Sequence, residues 1–185
     1  MGIFRDGWWY LDGNGNGQWD SGIDPAIPWG QRGDLPVFGD WAGSGTAKVG
    51  VFWDGWRYLD VNGNGQWDPG TDRALLWGQA GDIPVTGDWD GDGTTTVGVF
   101  RDGTWYLDLN GNGAWDEGTD RALVWGQPGD LPVVGDWDGT GAGKVGIFRA
   151  GTWYLDKNGT GTWDPGIDLA ITWGQAGDSP VVGKW

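Results

Sequence analysis

Residues 108–120, DLNGNGAWDEGTD, set oxygen-bearing side chains at loop positions 1, 3, 5 and 9, with glycine at position 6. In a tight coil alternate side chains turn inward, the glycine admits a sharp bend, and the carbonyl at position 7 adds another oxygen. That is the spacing of a Ca²⁺ loop. Asp108, Asn110, Asn112 and Asp116 are the candidate ligands, with Asp120 or Glu117 closing the shell. The motif recurs as Asp12, Asn14, Asn16, Asp20 and Asp24, as Asp60, Asn62, Asn64, Asp68 and Asp72, and as Asp156, Asn158, Thr160, Asp164 and Asp168. The closing acid stands at position 13 instead of 12, and the last copy is the poorest, with Thr160 at position 5. Hard oxygen donors without nitrogen or sulfur favour Ca²⁺ over zinc, up to four ions per chain. Asn-Gly is also a strong hairpin signal by itself, but a plain turn needs far fewer acids.

A second acidic series, GDWDGDGTTT at 87–96, puts Asp88, Asp90 and Asp92 in the same register, with Thr96 at position 9. Its sister loops decay to Asp40, Ala42 and Ser44 with Lys48 at position 9, and to Asp136, Asp138 and Thr140 with Lys144 there. A lysine ammonium at a ligand position neutralises acids internally, so these loops are expected to hold no metal, Asp88 to Asp92 being the open case.

Composition removes other chemistries. The chain has no Cys and no His, which excludes disulfides, thiolate or imidazole metal sites and Ser-His or Cys-His nucleophiles. A net charge of −15 with 11 Lys and Arg argues against nucleic acid and anionic membrane surfaces. No apolar run is long enough to insert in a membrane, and no leader precedes the first apolar stretch, so no signal peptide is expected. A glycosidase needs only two carboxyls in a cleft. Here, however, the acids recur in every unit, as ligands and turn caps do, so a non-enzymatic protein is expected.

The elements that carry these loops follow from a period of 48 residues without gaps: GIF at 2, GVF at 50, GVF at 98 and GIF at 146. Within the third unit four short apolar runs, 97–101, 104–108, 122–126 and 131–137, are bounded by Gly, Asp or Asn. Four strands per unit of this length predict an all-β fold, a β-propeller of four four-stranded blades in one domain over 1–185. The repeats are 2–49, 50–97, 98–145 and 146–185. The whole chain falls seven residues short of four full units, at a hairpin loop, so PVVGKW at 180–185 is expected to pair with GIFR and close one blade with both termini. A monomeric four-blade ring is the first expectation, and a dimer completing an eight-blade ring the alternative.

Twelve of the 18 tryptophans occupy repeat positions: Trp19, Trp67, Trp115 and Trp163; Trp29, Trp77, Trp125 and Trp173; Trp41, Trp89, Trp137 and Trp185. They are expected to fill the spaces between blades. Trp8, Trp53 and Trp56 break the repeat. Trp53 stands where Arg5, Arg101 and Arg149 stand, and Arg57 replaces the tryptophan of Trp9, Trp105 and Trp153. These three tryptophans are candidates for a ligand surface.

The succession GDLPVVGDWDGTGAGKVGIFRAGTWYLD at 129–156, followed by WGQAGDSPVVG at 173–183, resembles the FG-GAP or VCBS-like propeller repeats, and the likeness covers all four units. The Lys-bearing loops depart from that family's acidic pattern, and its rings usually have more blades. The resemblance implies a calcium-binding propeller of the cell exterior or surface, as in integrin alpha chains, acting as an interaction or adhesion module toward a protein or glycan, or as a repeat scaffold. A glycan-binding lectin, as among some fungal relatives, and an engineered symmetric propeller without a natural ligand are the alternatives.

Overall fold

The computed structural model describes residues 1–183, and every regular element within them is a β-strand. The first sheet comprises β1 (Gly2–Arg5), β2 (Trp8–Leu11) and β3 (Ala26–Pro28). The second holds β4 (Leu35–Gly39), β5 (Lys48–Trp53), β6 (Trp56–Leu59) and β7 (Arg73–Leu76). The third holds β8 (Ile83–Gly87), β9 (Thr96–Arg101), β10 (Thr104–Leu107) and β11 (Arg121–Val124). The fourth holds β12 (Leu131–Gly135), β13 (Lys144–Arg149), β14 (Thr152–Leu155) and β15 (Leu169–Thr172). Each is an antiparallel meander, and the four are the blades of a four-bladed β-propeller, with β4, β8 and β12 touching in succession at the inner edge.

Blade and repeat are offset by one strand. Residues 35–39 belong to the first 48-residue unit yet pair with β5 of the second, Leu35 opposite Phe52 and Gly39 opposite Lys48. Each repeat thus contributes the innermost strand of the next blade, which stitches neighbouring blades covalently. The strand PVVGKW expected to close the first blade runs into Lys184 and Trp185, which lie outside the described residues. Pro180–Gly183 carry no strand, and the first blade is described with three.

The second strand of each four-stranded blade is covered on both faces, which is why β5, β9 and β13 read as continuous apolar runs: Val97 to Phe100 are all buried. Gly98 is needed in that run, because a Cβ there would meet Leu107 Cδ2 at 2.8 Å and Val85 Cγ2 at 3.0 Å. The hairpin to β10 is a two-residue turn in which both residues have positive φ, Asp102 at 49° and Gly103 at 93°. That geometry matches the strand twist and selects Asp-Gly. In the fourth blade Ala150 takes the first position at φ 47°, where an alanine is strained.

The tryptophans divide by row. Trp29, Trp77 and Trp125 are buried at the seams, and each indole N–H donates to the next blade, to the carbonyls of Tyr58 (2.9 Å), Tyr106 (3.2 Å) and Tyr154 (3.0 Å). Their rings lie 5.8–6.0 Å from Trp67, Trp115 and Trp163, which are about half exposed at the loop surface. This second row, with Trp19, caps the acidic loops and does not fill the blade spaces. Trp173, the fourth member of the seam row, is 79% exposed.

Candidate metal centres

The NGNG loops join the third and fourth strands of each four-stranded blade, and β2 to β3 in the first. In each, the acid at position 1 caps the coil: the N–H groups of Gly15 and Gly17 donate to Asp12 (2.7 and 2.9 Å), those of Gly63 and Gly65 to Asp60 (2.7 and 2.8 Å), and that of Gly161 to Asp156 (2.7 Å). The acid at position 13 staples the loop shut. Asp120 accepts from the backbone N–H of Leu109 (2.9 Å) and of Asp116 (2.7 Å), and Asp24, Asp72 and Asp168 do the same in their loops. Position 13 is therefore set by backbone closure, which is why the acid falls one residue later than in the standard calcium loop. Glu117 makes no hydrogen bond among the described residues.

At position 9 the acid gathers the amides. Asn110 and Asn112 both donate side-chain N–H groups to Asp116 Oδ2, as Asn14 and Asn16 do to Asp20 and Asn62 and Asn64 to Asp68. In the last loop Asn158 and the Thr160 hydroxyl serve Asp164 (2.7 and 2.9 Å). These donors hold the carboxyls of Asp20, Asp116 and Asp164 below the usual carboxylate range. Side-chain hydrogen bonds thus draw positions 3, 5 and 9 together, while the position-1 acid is held separately by backbone N–H groups.

Burial makes the position-1 acids unusual. Asp60, Asp108 and Asp156 are almost fully buried, without a basic side chain in salt-bridge contact among the described residues. Burial pushes the carboxyls of Asp108 and Asp156 up, and backbone N–H groups offset this only in part. Asp108 Oδ1 has no hydrogen-bond partner among the described residues. An orphaned buried carboxylate oxygen inside an oxygen-rich coil fits a hard divalent cation.

The second series of loops joins the first two strands of each four-stranded blade. Two of them are filled from within. Lys48 Nζ donates to Ser44 Oγ (2.7 Å) and lies 3.7 Å from Asp40, while Lys144 Nζ reaches Asp138 (2.6 Å), Thr140 Oγ1 (2.8 Å) and Asp136 (4.0 Å). The ammonium of Lys144, followed by the Thr140 hydroxyl, holds Asp138 well below the usual range; Asp40 is lowered to about 2, chiefly by the backbone N–H of Ser44. The middle loop has the same backbone, with the N–H groups of Gly91 and Gly93 donating to Asp88 (2.8 and 2.9 Å), but no lysine. Thr96, at the position of Lys48 and Lys144, donates instead to the Asp108 carbonyl (2.6 Å).

Consequently Asp88, Asp90 and Asp92 are the one group of three acids among the described residues whose carboxylate oxygens lie within 4.8 Å of one another. Sequence reasoning left this loop as the open case. The signal was the missing lysine, and only the sister loops, with their ammonium groups in place, give it meaning. Trp8, Trp53 and Trp56 are 43%, 55% and 38% exposed, and Trp53 and Trp56 face each other across the β5–β6 hairpin. Comparison of the chain with protein families, with characterised proteins and with solved structures finds no match.

Proposed function

We propose that the protein is a non-enzymatic, calcium-braced β-propeller that works outside the cell as an interaction module. The observation that carries the reading is the Asp88–Asp90–Asp92 cluster, three converging carboxylates in a loop whose two sisters each hold a lysine ammonium in the same place. The orphaned Asp108 oxygen supports the 108–120 loop as a further site, and its sister loops share the same donor types. In both loop types the caps leave oxygens and no nitrogen or sulfur ligand, the donor set of Ca²⁺. When bound, the ion would supply charge neutralisation and loop rigidity. Four ions would bring the net charge from −15 to −7.

Loops of this kind on extracellular modules bind in the range of about 10⁻⁴ to 10⁻³ M, which suits the exterior and not the cytosol. Repeated blades then offer several similar surfaces, through which weak contacts add.

Calorimetric calcium titration of chelator-stripped protein tests the reading, with the melting temperature followed in parallel. Calcium at about ten to a hundred times the dissociation constant stabilises by roughly 1.4–2.7 kcal/mol per site, a shift of several degrees. The double variant Asp90→Asn, Asp92→Asn removes one ion from the stoichiometry and leaves the metal-free melting temperature unchanged or higher, because repulsion is relieved. No heat and no shift at 10 mM calcium, about ten times the weakest expected constant, sinks the metal assignment.

A further inference from the structure

Two successive seams between blades carry the same arginine receptor. At the seam of the second and third blades Arg101 makes a two-pronged ion pair with Asp82 (Nε–Oδ1 2.6 Å, Nη2–Oδ2 2.8 Å) and lies 4.9 Å over the Tyr106 ring. At the next seam Arg149 repeats this with Asp130 (2.6 and 2.6 Å) and Tyr154 (5.3 Å). Asp82 and Asp130 are buried, and each raises the pKa of its arginine. Forty-eight residues earlier the carboxylate and the ring remain, as Asp34 and Tyr58, and the guanidinium does not. Trp53 stands in its place.

The carboxylate is still aimed. The Gln31 backbone N–H donates to Asp34 Oδ2 at 2.8 Å, as Gln79 does to Asp82 and Gln127 to Asp130 (2.9 and 2.8 Å). Asp34 Oδ1, the oxygen that receives the arginine Nε elsewhere, has no partner among the described residues. Arg32, the nearest cation in sequence, pairs with Asp6 (3.6 Å). A cleft of about 800 Å³ opens here, lined by Trp29, Gln31, Asp34, Trp53, Tyr58 and Trp67. Its counterpart, bounded by Trp125, Arg149, Tyr154 and Trp163, measures about 210 Å³. One substitution has emptied a guanidinium site and added an indole wall.

We infer that the cleft between the first and second blades binds an arginine side chain presented by a partner protein, its guanidinium paired with Asp34 and stacked among Tyr58, Trp53 and Trp67. The chemistry is that of the two occupied seams, supplied from outside: a charge-assisted fork on a carboxylate, with cation–π contact to aromatic faces. A chain of net charge −15 draws a basic segment toward it. The inference names the partner chemistry of the interaction-module reading and rests on that reading, but not on calcium.

The test is an NMR titration of the full chain with N-acetyl-arginine-methylamide, run once in calcium and once in chelator, with methyl glucoside and choline as comparison ligands. Saturable shifts at the Gln31 amide and the Trp53 indole are expected, with a dissociation constant on the order of 10⁻³ M, the scale of one exposed charge-assisted contact. Asp34→Asn weakens binding by about tenfold or more. Trp53→Arg restores the internal ion pair, and abolishes binding while keeping or raising the melting temperature, so loss of binding is separated from loss of fold. Absence of shifts at Gln31 and Trp53 overturns the inference, as does unchanged binding in Trp53→Arg. Shifts with methyl glucoside alone replace it with a sugar site, and shifts with choline alone with a quaternary-ammonium cage. Binding that persists in chelator while calcium fails to bind leaves this site standing and removes the metal reading.

Discussion

Two side chains are held against their own preferences. Arg57 is fully buried where the other blades carry Trp9, Trp105 and Trp153. Its guanidinium donates to the carbonyls of Trp77 and Gly98, the first being the counterpart of the Trp125 carbonyl that accepts from Trp105 (2.9 Å). Burial lowers its pKa to about 9, against weaker opposing pulls from Asp82 and Asp108. A base depressed in the folded state is a desolvation cost below pH 9 that is relieved as pH rises from there toward its unfolded value. Arg57→Trp, which restores the repeat residue, is therefore expected to stabilise at pH 7 by about 1–3 kcal/mol, read by urea denaturation. Ala150, at φ 47° in a turn that elsewhere uses aspartate, is the second case, and Ala150→Asn is expected to add about 0.5–1 kcal/mol. Repeat mismatches expose both positions in the sequence. The sign of each effect needed the structure, because burial of Arg57 and the positive φ of Ala150 are not written in residue type.

The hairpin loops form the next scale, and their charges predict a pH response. Asp40 and Asp138 have folded pKa values held below the ordinary one, so the stability they contribute is present above about pH 4 and is lost as the pH falls through their folded values, for Asp40 about 2. For Asp138 the first cause is Lys144. Carbon-detected NMR titration of Lys144→Met is expected to return the Asp138 carboxyl toward the ordinary range while Asp40 stays near 2. An unmoved Asp138 would show that the Thr140 hydroxyl and backbone dominate. Loop positions and spacings were legible because turn chemistry is local. Which acids are capped, stapled or left free was not, since that depends on the partner strand, as with Thr96 bonding the Asp108 carbonyl and so lying where its sisters are lysines.

Across the whole molecule the blades are joined by one repeated contact, an indole buried against the next blade. Trp125→Ala is expected to cost about 3–5 kcal/mol, because it removes a buried ring and its hydrogen bond to Tyr154. Trp173→Ala is expected to change stability by less than about 0.5 kcal/mol, since that ring is 79% exposed. Equal costs at the two sites in thermal unfolding would mean that in solution the fourth seam is packed as the other three are.

The 48-residue period by itself determined the all-β class, four blades, the strands of the third unit to within a residue or two, and the place of every acidic loop. These are local periodicities and turn signals repeated often enough to reinforce one another. Tertiary structure decided what one unit cannot know about its neighbour. It set the one-strand offset between repeat and blade, put one tryptophan row in the seams and another at the surface, and gathered Asp88, Asp90 and Asp92 without a lysine. It also left Asp34 and Tyr58 facing a cleft where the next two seams hold an arginine. The physical reason is that carboxylates, rings and carbonyls acquire their partners across seams, from residues 19 to 48 positions away, where sequence spacing carries no distance.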